Sequence, residues 1–354
     1  MDAERAPVMA DVARLAGVSH QTVSRVLHDH PNVRPTTRDR VLTAVRELGY
    51  RPNAAARTLA TRRTRTLGVI SFNTTLYGPA CMLYGIEQAA RQYEYFVTVA
   101  AVGALDRRSV LDAVDRLRGQ GVEGIIVIAP QTTAVGALAN VPPDVPLVAV
   151  GCGTHTELAS VAVDNEAGAE LATNYLLDLG HRTVHHLVGP RSWLDAQERE
   201  AGWHRALGKR GAPVTVPLAG ADWTARTGYE LGRRIAADPE VTAVFCANDH
   251  MALGLLRALQ QAGRRVPEDI SVVGFDNMPE TEYFGPSLTS VHQDFDELGR
   301  RAVGALIEIV GDPEAGLPAA DETPHIVIPP TLVVRTSATR PRPERESPTW
   351  AATG

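Results

Sequence analysis

The chain has 354 residues, of which 44% are hydrophobic and 21% charged, with a formal net charge of −6. That length suggests two or three domains with substantial cores, and near-average charged and apolar fractions exclude a largely disordered or fibrous chain. The leading MDAERAPVMADVARLAG has no apolar export core and no stretch of about 18 apolar residues occurs, so neither export nor membrane insertion is supported and a cytoplasmic protein is expected.

Cys81, Cys152 and Cys246 are odd in number, far apart and outside any CxxC or Cys/His spacing. A disulfide framework or zinc site is therefore not expected. An acidic total disfavours nucleic acid as a partner only if charge is evenly spread, and it is not. Residues 1–65 carry twelve Arg against six acidic residues, whereas the remainder carries 23 basic and 35 acidic groups. A basic leading segment is a common device for meeting phosphate.

In chain order, Ala10 to Ala16 reads as a helix, Gly17-Val18 as a tight turn, and Ser19 as the N-cap of a second helix ending near Leu27. Thr37 to Leu48 places Val41, Leu42, Val45 and Leu48 at helical spacing, and Gly49 stops it. Asn53 could cap a short helix over 54–60, too short to stand alone. From Leu67 short apolar runs (LGVIS, FVTVAA, GIIVIA, LVAVG) alternate with amphipathic stretches, and a second such series includes VHHLVG, AVFCAND and ISVVGFD. Strands alternating with helices predict parallel sheets with right-handed crossovers, and two series predict two lobes. The lobe crossings fall near 161–165 and 289–294. The segment 336–354 is rich in Pro, Ser, Thr and Arg and is expected to be disordered.

On the second helix, at 100° per residue, His20, Gln21, Ser24 and Arg25 fall within about 140° of one another, with Val23, Val26 and Leu27 opposite. One face is apolar; the other carries groups that can read bases, Arg at guanine O6/N7 and Gln at adenine N6/N7. The string DVARLAGVSHQTVSRVL followed by GYRPNAAARTLA resembles the DNA-binding head of the lactose-repressor (LacI/GalR) family. The resemblance implies that Ser19, His20, Gln21, Thr22, Ser24 and Arg25 belong to a recognition helix. It also implies a hinge helix that folds on operator DNA in the minor groove, with Asn53 at its start, Ala56 as the small residue of close approach and Leu59 as a wedge between base pairs.

The resemblance runs to about residue 335. It implies a small all-α helix-turn-helix head (1–52), a hinge and linker (53–66), and an α/β two-lobed periplasmic-binding-protein-like core with parallel sheets (67–335). Through LGHRTVHHLVGP, ANDHMALGLLRAL, DISVVGFDN and PSLTSVHQDF it places Leu76, Pro79, Arg199, Trp223, Asn248, Asp276, Gln293 and Phe295 on the wall of an effector cleft. Independently, Asn248 and Asp276 follow the apolar runs AVFCA and ISVVGF, hence lie at the carboxyl ends of parallel strands, where ligands bind in open sheets. Arg, Asn and Asp suit vicinal sugar hydroxyls and an indole suits the apolar face of a pyranose. One departure stands out: where the family's lactose-responsive prototype carries an Asp in the N-lobe cleft, this chain has Gly151, followed by Cys152 and Gly153.

Gly119, Gly121 and Gly124 form a formal GxGxxG, but it follows a helix and precedes a strand, the reverse of a dinucleotide site. His185 and His186 are adjacent on a strand and point to opposite faces, which disfavours a shared metal. No catalytic motif is visible. The expected protein is a non-enzymatic, cofactor-free homodimeric repressor that binds double-stranded operator DNA and is released by a small sugar. A β-galactoside is the first candidate and a β-glucoside or oligosaccharide the alternative; a transport-type sugar-binding protein without a DNA role is the rival class.

Overall fold

The computed structural model describes residues 7–27, 32–50, 63–311 and 325–342. The chain forms two compact units, 1–64 and 65–354. In the first, α1 (Met9–Ala16), α2 (His20–Leu27) and α3 (Pro35–Leu48) close around Val12, Val23, Val26, Val41 and Ala44, all essentially inaccessible to solvent. The turn between α1 and α2 depends on Gly17, whose φ of 63° lies in the left-handed region that glycine enters without a Cβ clash. Ser19 Oγ then accepts from the Thr22 amide at 3.1 Å and caps α2, as its residue type suggests. Pro35 sits at the start of α3, two residues earlier than the periodicity reads, because its fixed φ suits a first helical turn.

The second unit has two lobes. Its N-lobe sheet is ordered β11-β5-β4-β3-β1-β2 and is parallel throughout, from β1 (Thr66–Phe72), β2 (Phe96–Val102), β3 (Gly124–Ile128), β4 (Leu147–Val150), β5 (Ser160–Val163) and β11 (His325–Ile328). α4 (Tyr77–Gln92) and α11 (Phe295–Val310) cover one face; α5 (Arg107–Gly119) and α6 (Thr132–Leu138) cover the other. The C-lobe sheet is ordered β12-β10-β9-β8-β6-β7, from β6 (His185–Val188), β7 (Leu218–Ala219), β8 (Ala243–Cys246), β9 (Ser271–Asp276), β10 (Thr289–His292) and β12 (Thr331–Val333). Here α7 (Asn165–Asp178) and α8 (Leu194–Lys209) pack on one face, α9 (Ala225–Ala236) and α10 (Asp249–Gln261) on the other. Strands covered on both faces must be apolar throughout, which is why β3, β4 and β8 read as unbroken hydrophobic runs.

The chain passes between the lobes at Asp164 and at 293–294, as expected, and a third time between β11 and β12 at Pro329-Pro330. That third crossing is absent from the sequence reading because both strands are short, and β12 departs from the parallel rule by running antiparallel to β10. The expectation of a disordered tail over 336–354 is corrected for 336–342, and 343–354 lie outside the described residues. Ser337 is fully buried, donates to the Val272 carbonyl at 2.6 Å and accepts from the Thr289 amide at 2.8 Å. Residues 336–342 thus dock on the C-lobe despite a composition typical of linkers, because the Ser337 hydroxyl and the Thr339 backbone meet backbone and hydroxyl groups at the starts of β9 and β10.

The glycines of the GxGxxG end α5 and open β3, the helix-to-strand order that no phosphate loop has. His186 is buried, stacked on Phe245 with ring centroids 4.5 Å apart, and bonded through Nδ1 to the Phe245 carbonyl, while His185 is half-buried. Burial pushes the His186 imidazole down to about 3.

Candidate functional site

The head presents one polar helix face. His20, Gln21 and Arg25 on α2 are exposed, whereas Val23 and Val26 anchor the helix from the other side. Ser19 and Thr22 are engaged with each other, Oγ to Oγ1 at 2.9 Å, and Ser24 and Thr22 are half-buried. Asn53, Ala56 and Leu59 lie outside the described residues.

In the core, a cleft opens where the carboxyl ends of both sheets face each other. The N-lobe contributes Leu76, Tyr77, Gly78, Pro79 and Met82, from the loop after β1 and the first turns of α4. The C-lobe contributes Trp193 and Asp195 after β6, Arg199 on α8, Trp223 before α9, Asn248 and His250 at the start of α10, Asp276 at the end of β9 and Gln293 after β10. Seven residues singled out from the sequence therefore share one cavity wall. Phe295 does not line it: as the first residue of α11 it turns into the N-lobe core, edge-on to Tyr77 at 6.1 Å, so its place is behind the wall. Sequence reasoning missed Tyr77, Met82, Trp193, Asp195 and His250.

The polar wall is built around Arg199, only 3% exposed. Its Nε donates to Asn165 Oδ1 at 2.8 Å, its Nη1 lies 3.6 Å from Asp276 Oδ1, and its guanidinium stacks 3.7 Å from the Phe275 ring centre. Asp276 Oδ1 also accepts from Gln293 Nε2 at 2.7 Å. Asn248 spends its carbonyl capping α10 through the Met251 amide (2.9 Å) and its amide on the Trp223 carbonyl (3.1 Å), so it fixes Trp223 as well as the helix. Asp249 is fully buried and holds the turn after β9, accepting from the Met278 amide at 2.9 Å and from Ser290 Oγ at 2.7 Å. That turn carries Asp276 at φ 106° and Asn277 at φ 50°, left-handed conformations costly for non-glycine residues and typical of positions that must aim a side chain.

Trp223 packs edge-on against Trp193 at 5.7 Å, and Gly189 leaves room for its indole, since a Cβ there would collide with the ring. Trp223 is 8% exposed and its Nε1 has no acceptor among the described residues.

Burial raises the carboxyl pKa values of the wall: Asp195 is pushed up to about 7, and Asp276 and Asp249 are raised by burial, Asp249 also by the neighbouring charge of Asp276. Between the ordinary carboxylate value of about 3.9 and about 7, the folded chain retains a proton on Asp195 that the unfolded chain has released. Rising pH therefore costs stability across that window. We expect wild type to lose stability relative to Asp195→Asn between pH 4 and 7, a comparison that cancels the opposing histidines; chemical denaturation at several pH values reads it, and a constant difference would refute it.

Residues 8–53 match the family described as bacterial regulatory proteins of the lacI family, and residues 173–338 match a periplasmic binding protein-like domain. The chain is 35% identical to the HTH-type transcriptional repressor PurR of Vibrio parahaemolyticus over 331 residues, 91% of this chain and 97% of that protein. It is 33% identical to the lactose operon repressor of Escherichia coli over 344 residues, 96% of this chain and 92% of that one. A solved structure of the Lac repressor dimer bound to operator and the anti-inducer ONPF superimposes with a TM-score of 0.80 at 32% identity, covering 95% of this chain and all of the other. No helix among the described residues is long and apolar enough to cross a membrane. The chain belongs to the lacI family of bacterial regulatory proteins and is a DNA-binding transcriptional repressor of that family.

Proposed function

We propose that this repressor binds a pseudo-palindromic operator as a homodimer through two heads and releases it when a small neutral sugar enters the cleft between the lobes. The observation that carries the sugar reading is the make-up of the cleft wall. Two carboxylates, an asparagine, a glutamine and an indole N–H surround one guanidinium that is already committed to Asn165 and Asp276. Acceptors in excess of available cations suit hydroxyl donors and repel phosphate or carboxylate ligands. The indoles of Trp193 and Trp223 supply the apolar surface a pyranose ring needs. A β-galactoside is the first ligand to test and a β-glucoside the second, because Gly151 carries no side chain to accept from a ligand hydroxyl. Release follows from linkage: a sugar that prefers the state with poor operator affinity lowers that affinity by the factor by which DNA lowers its own.

Gel-shift titration with promoter DNA flanking the protein's own gene, with and without candidate sugars, tests this; no binding at low salt would sink the repressor reading, and release by a planar heteroaromatic base but by no sugar would sink the sugar reading. In the same assay Arg25→Ala is expected to cost about 1–3 kcal/mol of discrimination at one base pair per half-site. Uniform weakening over all operator variants would instead make Arg25 a phosphate contact.

A further inference from the structure

At Gly151 the chain lacks the carboxylate that its family resemblance places on the N-lobe wall. Gly151 ends β4 at φ 82°, and a Cβ there would lie 3.6 Å from Pro130 Cβ and 3.7 Å from Met82 Cε, against the cleft lining. The neighbouring loop meets α8: a Cβ on Gly153 would come 3.5 Å from Glu198 Oε1, and the Cys152 thiol is raised by burial and then by the charges of Glu198 and Asp195. A carboxylate of the C-lobe, Glu198, therefore stands beside the loop that Gly151 opens.

Resting on the sugar reading, we propose that Asp195, on the C-lobe side of the cleft, is a specificity residue that accepts a hydrogen bond from a ligand hydroxyl, in a site that has no carboxylate at Gly151. The acids around the cleft divide by how their oxygens are used. Asp249 has both oxygens bonded within the protein, and Asp276 gives Oδ1 to Gln293 and Arg199. Glu198 is held by Asn165 Nδ2 at 3.1 Å and by His155 Nε2 at 3.2 Å. Among the described residues the one side chain that donates to Asp195 is Asn165, through a long contact of 3.4 Å from Nδ2 to Oδ1, because that amide is shared with Glu198 and the Val163 carbonyl. A half-buried carboxylate short of donors gains most when a ligand brings one.

A second feature of the same wall is also unsatisfied: the indole N–H of Trp223, more than nine-tenths buried, has no acceptor among the described residues. A polyol supplies both, hydroxyl hydrogen to Asp195 and hydroxyl oxygen to Trp223.

The position of Asp195 is also firmly set. Immediately before it, Trp193 forms an isolated antiparallel bridge with Gln131, the Leu194 amide donates to the Pro130 carbonyl at 2.9 Å, and Leu194 is buried within the N-lobe core. The first turn of α8 is thereby fastened to both lobes, so a hydroxyl bound there is read at their junction.

The test is calorimetry of the full chain with methyl β-D-galactoside, methyl β-D-glucoside, lactose and cellobiose, followed by Asp195→Asn and by monodeoxy analogues of whichever sugar binds. Asp195→Asn is expected to weaken binding by about 10- to 100-fold, the range for a hydrogen bond to a charged group. One deoxy analogue should lose affinity for wild type yet lose nothing further in the variant, a coupling that a merely structural role would not produce. Binding by the variant within twofold of wild type, or penalties that simply add for every deoxy analogue, overturns the assignment of Asp195 alone. If none of the four sugars binds wild type, the sugar reading falls and this assignment with it. Asp195→Ser provides the same comparison should the asparagine variant fail to fold.

Discussion

Asp276→Ala is expected to leave operator affinity unchanged in the absence of sugar while abolishing release by sugar. Asp276 is 6% exposed at the end of β9, in the cleft wall, and belongs to the unit 65–354, whereas the recognition helix belongs to the unit 1–64. Its loss removes a hydroxyl acceptor and leaves Arg199 and Gln293 without their shared carboxylate. Losing a charged acceptor for a ligand hydroxyl costs about 1.5–3 kcal/mol, on the order of 10- to 100-fold in sugar affinity. Unfolding of the core should not follow, because a carboxyl whose pKa is raised by burial already costs the folded state energy when ionised. Asp276→Asn is the gentler companion, since asparagine tolerates the positive φ that alanine resists. Retained induction in both variants would remove Asp276 from the site.

Why much of this wall was legible from the sequence, and part of it not, has a physical basis. Asn248 and Asp276 announce themselves because each ends a run of apolar residues, and only a strand buried on both faces requires such a run. Trp193 and Asp195 give no such signal. They sit on a loop and in the first turn of α8, where an acidic residue is already expected for the helix dipole and an aromatic residue is ordinary packing. Their place in the wall becomes visible only when the latch between 130–132 and 192–194 brings the two lobes together. Phe295 is the converse case. The local match around PSLTSVHQDF set its place in the chain correctly, but a one-residue step from Asp294 into α11 turns its ring toward Tyr77 and the N-lobe core. The docked segment 336–342 and the third lobe crossing were invisible for a further reason: they are held by hydroxyl-to-backbone bonds and Pro-Pro geometry, neither of which has a hydrophobic period.

Gly254→Ala is expected to disrupt the core and the cleft together. α9 and α10 cross with their backbones in contact: a Cβ on Gly254 would collide with the Ala225 carbonyl oxygen, and one on Gly228 with the Met251 backbone. Because the obstacles are backbone atoms, no rotamer change relieves them, and the helices must separate. Overpacking of this kind costs about 3 kcal/mol or more. The cost does not stay between the helices. α10 begins at the Asn248 cap, and Asn248 Nδ2 holds the Trp223 carbonyl just before α9 starts, so moving one helix off the other pulls apart two residues of the cleft wall. Thermal unfolding should fall by several degrees and sugar affinity by at least tenfold. Gly136→Ala in α6 is the control, because a Cβ there meets nothing within 4 Å and alanine is the better helix former by up to about 1 kcal/mol. The same chemical change should thus destabilise at one glycine and be neutral or stabilising at the other. A Gly254→Ala protein with wild-type unfolding temperature and sugar affinity would show that the α9–α10 crossing can relax, and that the cleft does not depend on it.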